Sequence, residues 1–131
     1  MIKISEATAI ALHSLIYINN KNDICSLKDI AERYNISANH LSKVLQRLVK
    51  EDILISIKGP SGGFNIKPEY KNITFMNIYE IFEGKFKEHK CLFNNGVGDC
   101  KTCIMSDLMI NIEKEFTDYM TNTKISEFKE E

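Results

Sequence analysis

Apolar residues return at helical spacing five times along the chain, and twice the pattern changes to that of an extended strand. Ile4, Ala7, Ala11, Leu15 and Ile18 form the first stripe, with Leu12 and Ile16 beside it and the polar run 19–23 as its end. Leu27, Ile30, Ala31 and Tyr34 form the second. Ser26 suits its N-cap, and Asp29 falls near the positive end of the helix dipole. Asn35 and Ile36 make a turn. Ser37 then caps a third helix with a stripe of Leu41, Val44, Leu45, Leu48 and Val49. Between those apolar positions lie Asn39, His40, Ser42, Lys43, Gln46 and Arg47, a polar and basic face. Residues 53–57 are β-branched and apolar and predict a strand. Residues 58–63, Lys58-Gly59-Pro60-Ser61-Gly62-Gly63, are turn formers with one cation. Phe64 to Lys67 alternates as the return strand.

Further on, Thr74 suits an N-cap and Gly84 a helix stop. Phe75, Ile78 and Phe82 share a stripe between them, directed at the first helix. From about Thr102 to Asn122 the helical period resumes. Ile104, Leu108, Ile112, Phe116 and Met120 step by four, flanked by Met105, Met109 and Tyr119, with Glu113, Lys114, Glu115 and Asp118 on the other face. About five or six turns of one-sided helix must bury that stripe against something. Its own domain is one partner. A second copy in a two-fold dimer is the expected one. Ile125 and Phe128 predict a last short turn.

Helix, turn, helix and then a Gly-rich hairpin is the winged-helix layout. The predicted fold is mainly α with a small β-hairpin: a winged helix-turn-helix plus a long C-terminal dimerisation helix. It divides into residues 1–84, a DNA-binding domain; 85–103, a cysteine-containing loop; and 104–131, the dimerisation helix and tail. In the bland alternative, a small helical core merely ends in a hairpin. An outward face with Asn, Gln, Lys and Arg suits a major groove, where amides pair with adenine edges and cations with guanine or phosphate. Two reading helices in a dimer suit a palindromic site. A docking module that no longer reads DNA is the rival from another class, and the cationic wing argues against it.

The chain has 131 residues and a formal net charge of −1. Residues 1–70 hold nine Lys/Arg against seven Asp/Glu, or +2, and residues 71–131 hold eight against eleven, or −3, so the cations favour the half with the reading elements. No apolar run of about 18 residues is present, which argues against a membrane span. No basic, apolar and small-residue leader is evident, so a cytoplasmic protein is expected. No nucleophile–base–acid constellation points to an enzyme. A dithiol oxidoreductase is disfavoured, since no βαβ pattern surrounds the closely spaced cysteines.

Cys25 stands alone and reads as a small buried residue. Cys91, Cys100 and Cys103 lie in a loop rich in Gly and Asn, with eight residues in the first gap and two in the second. Three readings compete for them. One is an iron–sulphur cluster with a fourth ligand from elsewhere, including a second subunit; another is zinc with His89 or Asp99; the third is a metal-free sensor in which Cys100 and Cys103 form a disulfide. Three unrelated cysteines is the fourth and blandest.

These residues resemble the Rrf family of winged-helix transcriptional regulators, of the IscR, NsrR and CymR type. The resemblance covers nearly the whole chain: residues 11–15, 27–31 and 36–48, the wing Lys58-Gly59-Pro60-Ser61-Gly62-Gly63-Phe64 as its most specific part, residues 78–84, and the cysteine loop running into 103–108. It implies a homodimer with crossed C-terminal helices that binds double-stranded palindromic operators, mostly as a repressor. It also implies a [2Fe-2S] or [4Fe-4S] cluster on Cys91, Cys100 and Cys103 that senses iron–sulphur status, nitric oxide or redox state. His13 matches a fourth-ligand position. Where other members place a carboxylate this chain has Ala9, and Glu6 lies one turn earlier. The two-residue gap from Cys100 to Cys103 is shorter than in well-known cluster-binding members, and also suits zinc or a disulfide switch. The candidate DNA contacts are Ser26, Lys28, Ser37, Ala38, Asn39, His40, Ser42, Lys43, Arg47, Lys58, Gly59, Pro60, Ser61, Gly62 and Gly63.

Overall fold

The computed structural model describes residues 2–87, 104, 105 and 107–129. Within them run α1 (Glu6–Lys21), α2 (Leu27–Tyr34), α3 (Ala38–Lys50), β1 (Leu54–Ile57), β2 (Gly63–Ile66), α4 (Phe75–Glu83) and α5 (Leu108–Asn122), with 3-10 turns at Pro68–Tyr70 and Ile125–Glu127.

The predicted caps close α2 and α3. Ser26 accepts the N–H of Asp29 at 3.1 Å, and Ser37 that of His40 at 3.2 Å. Asn35 enters the left-handed region at φ 53°, so Ile36 N–H can return to the Ala31 carbonyl at 3.0 Å. Asp52, at φ 69°, ends α3 the same way. Thr74 and Asn77 cap α4 reciprocally, and Gly84 stops it at φ 84°. β1 and β2 pair antiparallel, with Leu54 opposite Ile66 and Ile57 opposite Gly63. A single backbone bridge, Cys25 with Phe64, ties the hairpin to the chain entering α2.

One core unites these elements. Leu15, Ile18, Ile30, Leu41, Leu45, Leu48, Leu54 and Ile78 have almost no exposed surface, and each such side chain contributes about 1.5–3 kcal/mol of burial. α4 packs on α1, as predicted, and on α5. The first stripe begins later than expected: Ile4 precedes α1 and is exposed, because Ser5 is the cap. The C-terminal segment returns to the first half. Phe75 N–H donates to the Thr123 carbonyl at 2.9 Å and Ile125 N–H to Ile73 at 3.2 Å, burying Ile125 against the core beside α1.

The long C-terminal helix departs from its predicted facing. Ile104 lies in a turn before α5 and is 90% exposed. Leu108 and Ile112 are exposed as well, while Glu113, expected on the solvent side, is 3% exposed. A helix turns 100° per residue, so a four-residue step overshoots by about 40° and the stripe from Leu108 to Met120 drifts by about 120°. Only its end, Phe116 and Met120, reaches the core, and Glu113 shares that side. Phe116 meets the Tyr79 ring edge-on at 5.4 Å. Leu108, Ile112 and Tyr119 are left on an exposed apolar side.

Candidate nucleic-acid interface

Burial of Leu41, Val44, Leu45 and Leu48 turns the opposite side of α3 outward. Asn39, Lys43, Gln46 and Lys50 are all exposed along it. Ala38 and the capping Ser37 are exposed at its start; His40 and Ser42 are half-buried on its flanks. Lys50 escaped the sequence reading. It lies two turns after Lys43, but at the point where the apolar pattern stops and no longer marks a face.

The wing stands beside this helix. Lys58, Gly59, Pro60 and Ser61 are exposed and Gly62 and Gly63 half-buried. The tip is a tight turn in which Gly62 N–H donates to the Gly59 carbonyl at 2.9 Å. Gly62 is required by contact, since a Cβ there would sit 2.1 Å from the Ile57 oxygen. An open groove of about 660 Å³ separates wing from helices, and Ser26, Lys28, Ala38, Gly59, Pro60 and Gly62 all line it, together with Glu32. Sequence candidates from three separate stretches are therefore brought to one concavity. The Ser26 hydroxyl is already occupied by its cap. Lys28, Lys43, Lys50 and Lys58 form no hydrogen bond or ion pair among the described residues, so their charge is available to an anion.

Arg47 is different. It leaves α3 on the side nearest α4, where Nε donates to Glu51 Oε1 at 3.0 Å and Nη2 to the Ile81 carbonyl at 3.1 Å. It is exposed, but its guanidinium is engaged.

Of the candidate ligands, Cys91, Cys100 and Cys103, with His89 and Asp99, lie outside the described residues. No group of three or more metal-ligating side chains gathers among the described ones. His13 sits exposed on α1, its ring 5.3 Å from that of Tyr34, whose hydroxyl donates to the His13 carbonyl at 3.1 Å. Cys25 is buried as expected. Burial pushes its thiol up to about 11, far from the range of a reactive thiolate.

A helix-turn-helix with an exposed polar reading side and a β-hairpin beside it defines a winged-helix protein. The family model for Rrf2, described as an iron-dependent transcriptional regulator, matches residues 4–131. The chain belongs to the Rrf2 family of transcriptional regulators. It is 32% identical to the regulator NsrR of Bacillus licheniformis over 108 residues, 81% of this chain and 73% of that one. It is 28% identical to IscR of Vibrio cholerae over 121 residues, 90% and 65% of the two chains. The matched stretches span 53%, 62% and 65% of the first three curated relatives, so those proteins extend well beyond the match. Among solved structures, CymR, the global cysteine regulator of Bacillus subtilis, superposes with a TM-score of 0.79 at 25% identity, covering 95% of this chain and 94% of that one. These relatives are regulators, not enzymes. No helix among the described residues is long and apolar enough to cross a membrane.

Proposed function

We propose that the protein is a homodimeric, sequence-specific regulator that binds a palindromic double-stranded operator in the cytoplasm, acting as a repressor. The observation that carries this reading is the exposed ridge of Asn39, Lys43, Gln46 and Lys50 beside an exposed cationic wing, on a chain whose family regulates transcription. The ridge enters the major groove. Ser37, Ala38, His40 and Ser42 meet its edges and phosphates. Lys58 and the 59–63 turn follow the adjacent backbone and minor groove, with Ser26 and Lys28 at the flanking phosphates. The exposed Leu108, Ile112 and Tyr119 on α5 support the dimer, because such a side on a helix is covered by its counterpart in a two-fold pair.

Cys91, Cys100 and Cys103 are the proposed holders of a [2Fe-2S] or [4Fe-4S] cluster, with His13 as fourth ligand. Three thiols suit iron–sulphur chemistry, and the imidazole is exposed and so open to a site formed with another chain. A bound cluster would make the protein sensitive to oxidants, nitric oxide or iron supply. The two-residue gap between Cys100 and Cys103 favours a second reading, a zinc or thiol–disulfide site.

The experiment is a duplex selected by the protein from a random-sequence pool, titrated at several salt concentrations. Lys43→Ala and Lys58→Ala each weaken binding and lower the salt slope by about one. Unchanged affinity at fixed salt refutes the placement. Anaerobic reconstitution with iron and sulphide tests the cluster, and fewer than about one iron per chain rejects it in favour of the second reading.

A further inference from the structure

Three tethers meet on the last turn of α4. Glu83 Oε1 accepts the Ser5 N–H and the Thr8 hydroxyl, both at 2.8 Å, tying the turn to the start of α1. Glu80 Oε2 accepts the Phe86 N–H at 3.0 Å, tying it to the segment that leads toward the cysteines. The Ile81 carbonyl accepts from Arg47 at 3.1 Å, tying it to α3. In a helix that ends at Glu83, the Ile81 carbonyl is one of the last four that lack a helical N–H partner, and a cation there also meets the negative end of the helix dipole. The guanidinium is a planar fork, so a donor committed to Glu51 and another committed to Ile81 fix its plane across two helices. Arg47 stands one turn after Lys43, about 40° around α3 from it and about 80° from Asn39, so it lies at the edge of the ridge on the side of α4.

We propose that Arg47 is a positioning residue: it sets the tilt of α3 against the last turn of α4 and acts on operator binding through that tilt, without touching the duplex. This rests on the reading of α3 as the helix that faces DNA. It also makes the α4 turn the junction at which Phe86 and the reading helix are joined.

The test uses full-length protein and a duplex selected from a random-sequence pool, with affinity measured across salt concentrations for Arg47→Ala, Arg47→Lys and Lys43→Ala. Arg47→Ala lowers affinity by roughly three- to thirty-fold, the range for residues that couple two elements, and leaves the salt slope at the wild-type value. Lys43→Ala lowers the slope by about one. Arg47→Lys keeps the charge but not the fork, and recovers little affinity. A slope drop for Arg47→Ala equal to that for Lys43→Ala, or near-complete rescue by lysine, means a direct phosphate contact and overturns the proposal, as does unchanged affinity. If Lys43→Ala changes neither affinity nor slope, the failure lies with the duplex-facing reading of α3 itself. Arg47→Lys also keeps the result decisive should the alanine variant fold poorly.

Discussion

Gly63→Ala tests how the wing is held. Gly63 opens β2 next to the paired backbones of Cys25 and Phe64, whose two hydrogen bonds measure 2.9 and 2.8 Å. A methyl at position 63 would lie 2.2 Å from the Cys25 oxygen, 2.7 Å from its carbonyl carbon and 3.0 Å from Ser26 N, all backbone atoms. No side-chain rotation relieves this, so the strand must retreat by about an ångström and the bridge must break. Two lost backbone bonds cost about 1–3 kcal/mol and overpacking a further 1–3 kcal/mol. Since the retreat that breaks the bonds also relieves the clash, the expected sum is about 2–4 kcal/mol. That is a large share of an ordinary stability of about 5–15 kcal/mol. Gly59→Ala is the control. Its φ of 109° is unfavourable for alanine, but a Cβ there meets nothing within 4 Å, so it suffers only the backbone strain of about 1–3 kcal/mol. Urea unfolding with hydrogen exchange at the Cys25 and Phe64 amides separates the two. Gly63→Ala should lose stability and protection at both amides, whereas Gly59→Ala should keep that protection. A Gly63→Ala protein within about 0.5 kcal/mol of wild type and with both amides protected would refute the reasoning.

Three further outcomes follow from the same geometry. Ile112→Glu places a charge on the exposed apolar side of α5, and sedimentation should show a dimer for wild type and a monomer for the variant; a variant that stays dimeric removes α5 as the interface. The hydrogen bonds from Ser5, helped by Thr8 and the Lys3 charge, hold the Glu83 carboxyl below the ordinary glutamate value of 4.5. The carboxylate therefore stabilises the fold above 4.5 and loses that effect as pH falls through its lowered folded value. Glu83→Gln should melt lower than wild type at pH 7, and the gap should close on acidification; a gap that widens in acid reverses the sign. With its thiol pushed up to about 11, Cys25 is thiolate in about one molecule in ten thousand at pH 7. Iodoacetamide should therefore spare it in the folded protein and label it after unfolding, and fast labelling of the native state would contradict its burial.

Much of the architecture is legible because it is local. The caps at Ser26, Ser37 and Thr74, the stop at Gly84 and the stripe of α3 each depend on residues within one or two turns of each other, and over so few turns a helical pattern drifts little. The outward side of α3 follows from the same stripe, which is why Asn39 and Lys43 could be named from the chain alone. Lys50 could not, since one more residue at the end of a helix shows no face without a neighbour to define it.

α5 shows where local pattern stops being enough. Its four-residue steps look one-sided on paper, yet they spiral, and contact with α4 decides that Glu113, Phe116 and Met120 face inward. Arg47 has the same chemistry as any outward cation in the sequence. Its partner is a carbonyl 34 positions away, and only the packing of both α3 and α4 on α1 brings the two within reach. The groove beneath the wing likewise draws on three separate stretches of chain. Short-range spacing determines which residues form each element and cap it. The packing of distant elements decides which charges remain free, because a hydrogen bond depends on separation in space and not along the chain.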